Sequence, residues 1–261
     1  MKPGTYDHFL NLVKAGANVV HVASYEWERV RGWTIALARE MRCPLRVWSS
    51  SSGITKIADD DRFVEDDAAQ ADPAEAIKAL RDGEEPGVLL LEDIQPYMEP
   101  QHHEFIRQIR EACRQAPEPR RILVLSTPLP GLPVELRKEV PTVELPLPDR
   151  EDLRVVCEWV AREQGVPSEI DEPLLDAARG LTVMEARLAY GQAAAELHRL
   201  DAGAVPLVAR EKERVIRQSG VLEYFEPNAG MGDVGGLDQL KAWLERRGRA
   251  FGPGARDFGL D

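Results

Sequence analysis

The chain has 261 residues, enough for one large or two modest domains at roughly 100–200 residues each. Hydrophobic residues make up 43% and charged residues 30%, as in an ordinary soluble globular protein. A net charge of −12 argues against a nucleic-acid-binding surface spread over the whole chain, while leaving room for a local basic patch.

The three cysteines, Cys43, Cys113 and Cys157, are scattered and form no CxxC pair, so neither a disulfide nor a zinc framework is expected. The N-terminus leads into no apolar signal core, and no apolar run approaches the roughly 18 residues of a membrane span. The expected compartment is the cytoplasm.

The first predicted element is a short β-branched strand at 19–23. Ser24 is positioned as a helix N-cap after it, with Glu26 and Glu28 in the first helical turn, where they complement the macrodipole. The helix is expected to reach about Met41 and to bury Trp27, Val30, Ile35, Leu37 and Ala38. A second strand, Leu45 to Trp48, opens into the serine-rich loop 49–53. The acidic stretch from Asp59 to Asp72 reads as solvated, and Pro73 starts a helix that runs to about Arg81.

Gly87 to Ile94 is an apolar run of the kind found in a strand buried on both faces. A helix around Glu99 to Arg114 leads to a fourth strand, 121–127, and a fifth, 142–145. Strands alternating with helices predict an α/β fold, a mostly parallel sheet covered on both faces. After Asp149 the pattern is helical throughout, with helices near 150–164, 171–178, 182–200 and 202–218. Asp149 and Thr182 are natural N-caps there, and Gly165, Gly180 and Gly220 natural stops. The segment 219–232, with Pro227, Asn228 and glycines, is the best linker candidate. No internal repeat is visible.

After the linker stands Asp233-Val-Gly-Gly-Leu-Asp-Gln-Leu-Lys-Ala-Trp-Leu. This string resembles the opening segment of AAA ATPase modules, where an Asp-(Val/Ile)-Gly-Gly-Leu turn lies on the adenine side of the nucleotide. Asp233, Val234, Gly235 and Gly236 match residue by residue. A backbone lying close to a purine tolerates no β-carbon, which is the physical reason for the glycine pair. Upstream, the chain is similar to the same RecA-like (P-loop NTPase-like) core and helical lid with its chemistry eroded. Glu92-Asp93 stands where a Walker B strand ends, in inverted order relative to the usual Asp-Glu. Ser126 and Thr127 stand at the sensor position, and Arg137 near that of an arginine finger. The combination resembles the plastid- and cyanobacterial-type (Ycf-class) AAA ATPases, also found in other bacteria.

The implied organisation is a degenerate RecA-like core at 1–148, a helical lid at 149–218, a linker at 219–232, and from 233 the opening of a second module whose phosphate loop lies past Asp261. The resemblance implies a full-length protein that binds ATP and magnesium and remodels a macromolecular partner as a ring-like homo-oligomer. No membrane and no nucleic acid are expected among the partners.

For this chain alone no cofactor, no metal site and no catalytic residue are expected. A phosphate loop needs converging backbone N–H groups, a lysine and a hydroxyl, and no GxxxxGK[ST] occurs. The turn after the first strand is Ser24-Tyr-Glu-Trp-Glu, with two carboxylates and two bulky rings at the helix mouth. Adjacent His102 and His103 point about 100° apart on a helix and cannot share one metal. His21 reads as a satisfied core residue. Arg246-Arg-Gly-Arg ends a helix, where cations are favoured. Leu237, Leu240 and Trp243 share one helical face, expected to pack on the second module. The competing reading is a stand-alone binding or scaffold protein without ATP chemistry. A third is a nucleotide sensor that uses Glu92-Asp93 without hydrolysis.

Overall fold

A computed structural model describes residues 3–57, 63–65, 72–116, 119–218 and 235–249. The chain opens with α1 (Pro3–Lys14), β1 (Val19–Ala23), α2 (Trp27–Met41) and β2 (Leu45–Ser49). A hairpin follows, β3 (Gly53–Ile57) and β4 (Phe63–Glu65), then α3 (Pro73–Asp82) and β5 (Gly87–Leu91). Two short 3-10 turns lead into α4 (His103–Cys113), β6 (Arg121–Thr127) and β7 (Thr142–Glu144). The helical part comprises α5 (Arg150–Gln164), α6 (Glu172–Ala178), α7 (Val183–Leu197) and α8 (Val205–Gln218). The last described element is α9 (Asp238–Arg249).

Among the described residues the strands form one sheet in the order β4-β3-β2-β5-β6-β1-β7. β2, β5, β6, β1 and β7 run parallel, and β3 and β4 extend the β2 edge antiparallel. Period-two alternation divides the core into two layers. Leu89, Leu91, Leu123 and Leu125 face Ile77 of α3 and Ile109 of α4. Val20, Val22, Leu90 and Val124 face Phe9 and Val13 of α1 and Val30, Trp33 and Leu37 of α2. Both faces are covered, so β1 and β5 are buried along their whole length.

Three readings in α1 and α2 needed correction, and the hairpin β3–β4, whose second strand lies within the acidic stretch read as solvated, was not anticipated. Glu26, not Ser24, is the N-cap of α2; Ser24 Oγ accepts the Glu26 N–H at 2.9 Å, a turn one step earlier in the chain. Trp33 fills the core in place of Trp27, which is 44% exposed. The first helix was missed, although Tyr6, Phe9, Leu10 and Val13 repeat at helical spacing and the ring of Tyr6 meets that of Trp33 at 5.5 Å.

Capping fixes the helical part. Asp149 and Thr182 each form a reciprocal capping box, with Asp152 and Glu185. Gly165 ends α5 in the left-handed conformation at φ 66°. Alanines at 186, 189, 193 and 194 line the buried side of α7, and small side chains of this kind allow close packing on α5, whose Cys157 thiol burial pushes up to about 12. The chain divides into two compact units, Met1–Lys212 and Glu213–Asp261. α9 lies in the second, where Leu237, Leu240, Trp243 and Leu244 are exposed.

One polar side chain sits inside the sheet. His21 is fully buried, with Nε2 2.7 Å from Thr127 Oγ1 and Nδ1 3.1 Å from Thr142 Oγ1. Thr127 donates its own hydroxyl proton to the Leu129 carbonyl at 2.7 Å, so His21 must donate from Nε2 and accept at Nδ1. Three strands, β1, β6 and β7, are thereby tied through one neutral imidazole. Burial lowers its pKa from 6.5 to about 4. The unfolded chain binds the extra proton between those values, so the contribution is complete above pH 6.5 and fades as the pH falls toward 4.

Urea unfolding across that window should show a loss of about 3 kcal/mol from this group, at 1.36 kcal/mol per pKa unit, and His21→Asn should flatten the dependence. Leu90→Ala, at a fully buried β5 position, should cost about 2–5 kcal/mol in the same assay, whereas Leu188→Ala, 56% exposed on α7, should stay within about 0.5 kcal/mol.

Candidate functional site

In an open α/β sheet the side chains able to meet a ligand gather at the carboxyl ends of the parallel strands. Here those ends carry Ser24 to Trp27 after β1, Ser49 after β2, Glu92-Asp93 after β5, and Ser126-Thr127 with the following loop after β6. Backbone bonds draw the ends together. The Ser24 N–H donates to the Thr127 carbonyl at 2.8 Å, and the Ile94 N–H to the Ser126 carbonyl at 3.3 Å.

The turn after β1 is closed by a carboxylate. Glu26 is 8% exposed. Its Oε1 accepts the N–H of Val183, the first residue of α7, at 2.7 Å, and its Oε2 accepts from the Arg29 guanidinium. Arg29 also donates to the Pro146 carbonyl at 2.8 Å and lies 3.5 Å from Asp152 Oδ2, in the first turn of α5. No side-chain oxygen caps α2 itself. The cavity between this turn and the start of α7 encloses about 270 Å³ and is lined by Tyr25, Trp27 and Met184.

The strand-end acid of β5 is likewise engaged. Glu92 is 7% exposed and accepts two bonds from Arg31 of α2, Nε to Oε1 at 2.8 Å and Nη2 to Oε2 at 2.6 Å. This fork geometry is the strongest form of the pair. The Arg31 guanidinium also lies 4.8 Å from the centre of the Trp27 ring. Asp93, in the left-handed conformation at φ 52°, is exposed, so the two acids point to different surroundings.

Of the other predicted residues, Ser126 and Thr127 are buried at the end of β6, and Thr127 is committed to His21 and Leu129. Arg137 is exposed in the turns after β6, its Nε held by the Leu132 carbonyl at 2.8 Å. Nothing brings it to Glu92 or Glu26 among the contacts of the described residues. Asp233 and Val234 lie outside the described residues. Gly236 has φ +67°, a conformation that disfavours a β-carbon, while a Cβ at either Gly235 or Gly236 would meet nothing within 4 Å. Arg29, Arg31 and Val183 were not anticipated. The Glu26/Arg29 spacing of three on a helix was a legible signal; the Val183 contact, 157 residues away, had none.

A magnesium–triphosphate group does not fit this corner. The helix mouth offers a buried carboxylate where converging N–H groups and a lysine are needed. The acid that would meet magnesium is already neutralised by Arg31.

Comparison with known proteins places the chain. The family model of the SpoVK-like AAA ATPase N-terminal domain matches residues 5–145, and that of the second domain of the same family matches residues 150–219. The AAA domain-containing protein ycf46 of Guillardia theta is 24% identical over 258 residues, covering 97% of this chain and 49% of the relative. The chain spans about half the length of the curated relatives it matches. Among solved structures, the Thermotoga maritima RuvB Holliday junction branch migration motor superposes with a TM-score of 0.52 at 15% identity, over 96% of this chain and 84% of that one. The FIGL-1 AAA domain in complex with ADP gives 0.51 at 15% identity, over 94% and 83%. At such identities the structures establish the fold, a P-loop ATPase core with a helical C-terminal part. The two family matches, which together span most of the sequence, settle its membership: this chain belongs to the SpoVK-like AAA ATPase family.

Proposed function

We propose that residues 1–218 form a non-catalytic regulatory or recognition region of a AAA ATPase. The observation that carries this reading is the turn after β1, where the buried Glu26 stands in place of glycines and a lysine. The Arg31–Glu92 fork supports it, because a carboxylate held by a guanidinium is unavailable to polarise water or hold a cation. In this reading 1–148 is the degenerate core, 149–218 its lid, 219–232 a linker, and 233–261 the opening of a second module. Ser126, Thr127 and Arg137 are remnants with structural duties.

In the whole protein, the active module would bind ATP and magnesium, with Asp233 to Gly236 on the adenine side. Its hydrolysis would drive remodelling of a macromolecular partner, in a homo-oligomer of the kind its family relationship suggests. The cytoplasm is the compartment proposed. Among the described residues no helix is long and apolar enough to cross a membrane.

Titration of the 261-residue chain with ATP and magnesium in a calorimeter should give no saturable heat, and a phosphate-release assay no turnover. Stoichiometric binding without turnover would favour the nucleotide-sensor reading, and magnesium-dependent hydrolysis would refute the non-catalytic one. A separate outcome concerns the fork. Arg31→Met should destabilise the protein by roughly 2–3 kcal/mol in urea unfolding, somewhat less than for a fully buried pair because Arg31 keeps part of its surface in water.

A further inference from the structure

Thr182 caps α7 by accepting the Glu185 N–H at 3.2 Å, which leaves the Val183 N–H at the first position without a partner from its own helix. The partner it finds belongs to the other half of the fold. Glu26 begins α2, yet its carboxylate turns away from that helix and accepts from Val183 at 2.7 Å. The second carboxylate oxygen is taken by Arg29, whose remaining donors reach the Pro146 carbonyl and the first turn of α5. One short turn therefore holds the beginnings of two lid helices at once.

We propose that Glu26 and Arg29 form a built-in latch between core and lid, in which the chain's own carboxylate supplies the anion at the α7 N-terminus and fixes the lid without any nucleotide. The physical grounds are three. The positive end of a 15-residue helix favours an anion within its first turn. Bonds between an ionised acceptor and N–H donors are the strong kind. The carboxylate is 8% exposed, so water competes poorly for it. The latch goes beyond the reading above, which concerns what the corner cannot bind; it concerns what the corner holds in place.

Amide hydrogen exchange on the full chain tests it. In the wild type the Val183 amide should be protected, equally so with and without ATP and magnesium. Glu26→Ala should speed its exchange about tenfold or more, as expected for losing a bond to a charged acceptor, and leave the β5 and β6 amides unchanged. Sodium acetate should slow that exchange in Glu26→Ala more than sodium chloride at equal ionic strength. Glu26→Gln, which keeps an acceptor oxygen but loses the charge, is the milder variant and should also show faster exchange at Val183. Wild-type protection at Val183 in Glu26→Gln, an Ala variant that acetate fails to slow, or wild-type protection that depends on ATP would each overturn the latch. Magnesium-dependent ATP hydrolysis by the chain with Val183 exchange unaltered would instead overturn the non-catalytic reading and leave the latch standing.

Discussion

The Glu26 carboxylate, held between the Arg29 guanidinium and the first N–H of α7, is the interaction on which the arrangement of this molecule turns. The sheet orders itself through two-sided apolar burial, and the helices after β7 through capping boxes and a small-residue interface. What joins them at the β1–α2 turn is a single buried charge whose two oxygens are satisfied from opposite sides. A buried charge that loses either partner is strongly destabilising, so both contacts are mutually enforcing.

In the proposed non-catalytic reading, the same corner belongs to an ATPase-type fold whose strand ends are engaged by the protein's own side chains. The parallel sheet, the helix following β1 and the acidic end of β5 are all retained. Three of the strand-end groups have protein partners: Glu92 has Arg31, Thr127 has His21 and Leu129, and Glu26 has Arg29 and Val183. Buried polar groups require partners. Fold does not entail function, and here these strand-end side chains serve as contacts within the protein.

Much of the fold was legible in the sequence because its signals are local. The continuous apolar run at 87–91, the strand at 121–127 and the caps at Asp149 and Thr182 need only a few residues of context. The β3–β4 hairpin was missed because 53–57 lacks clean alternation and follows a serine-rich loop that reads as irregular. Trp27 was read as buried because it stands three residues before Val30 on the same helical face; as the first residue of α2 it lies at the end of that face and is 44% exposed. Of the candidate site, the missing phosphate loop and the acid at 92 were readable as residue types. The guanidinium that reaches that acid from 61 residues upstream was not, since spacing along a chain carries no information about contacts made across a sheet.

Residue 26 also constrains what substitution alone can undo. Opening the corner to an anion from solution means removing a side chain that tethers two helices at a distance, and Arg29 would then be left with an unbalanced positive charge close to Asp152 alone. Reopening and loosening are thus the same event. In the proposed reading, a single change at residue 26 would release the start of α7 without supplying the glycines and lysine of a phosphate loop, so the one position sets two properties at once.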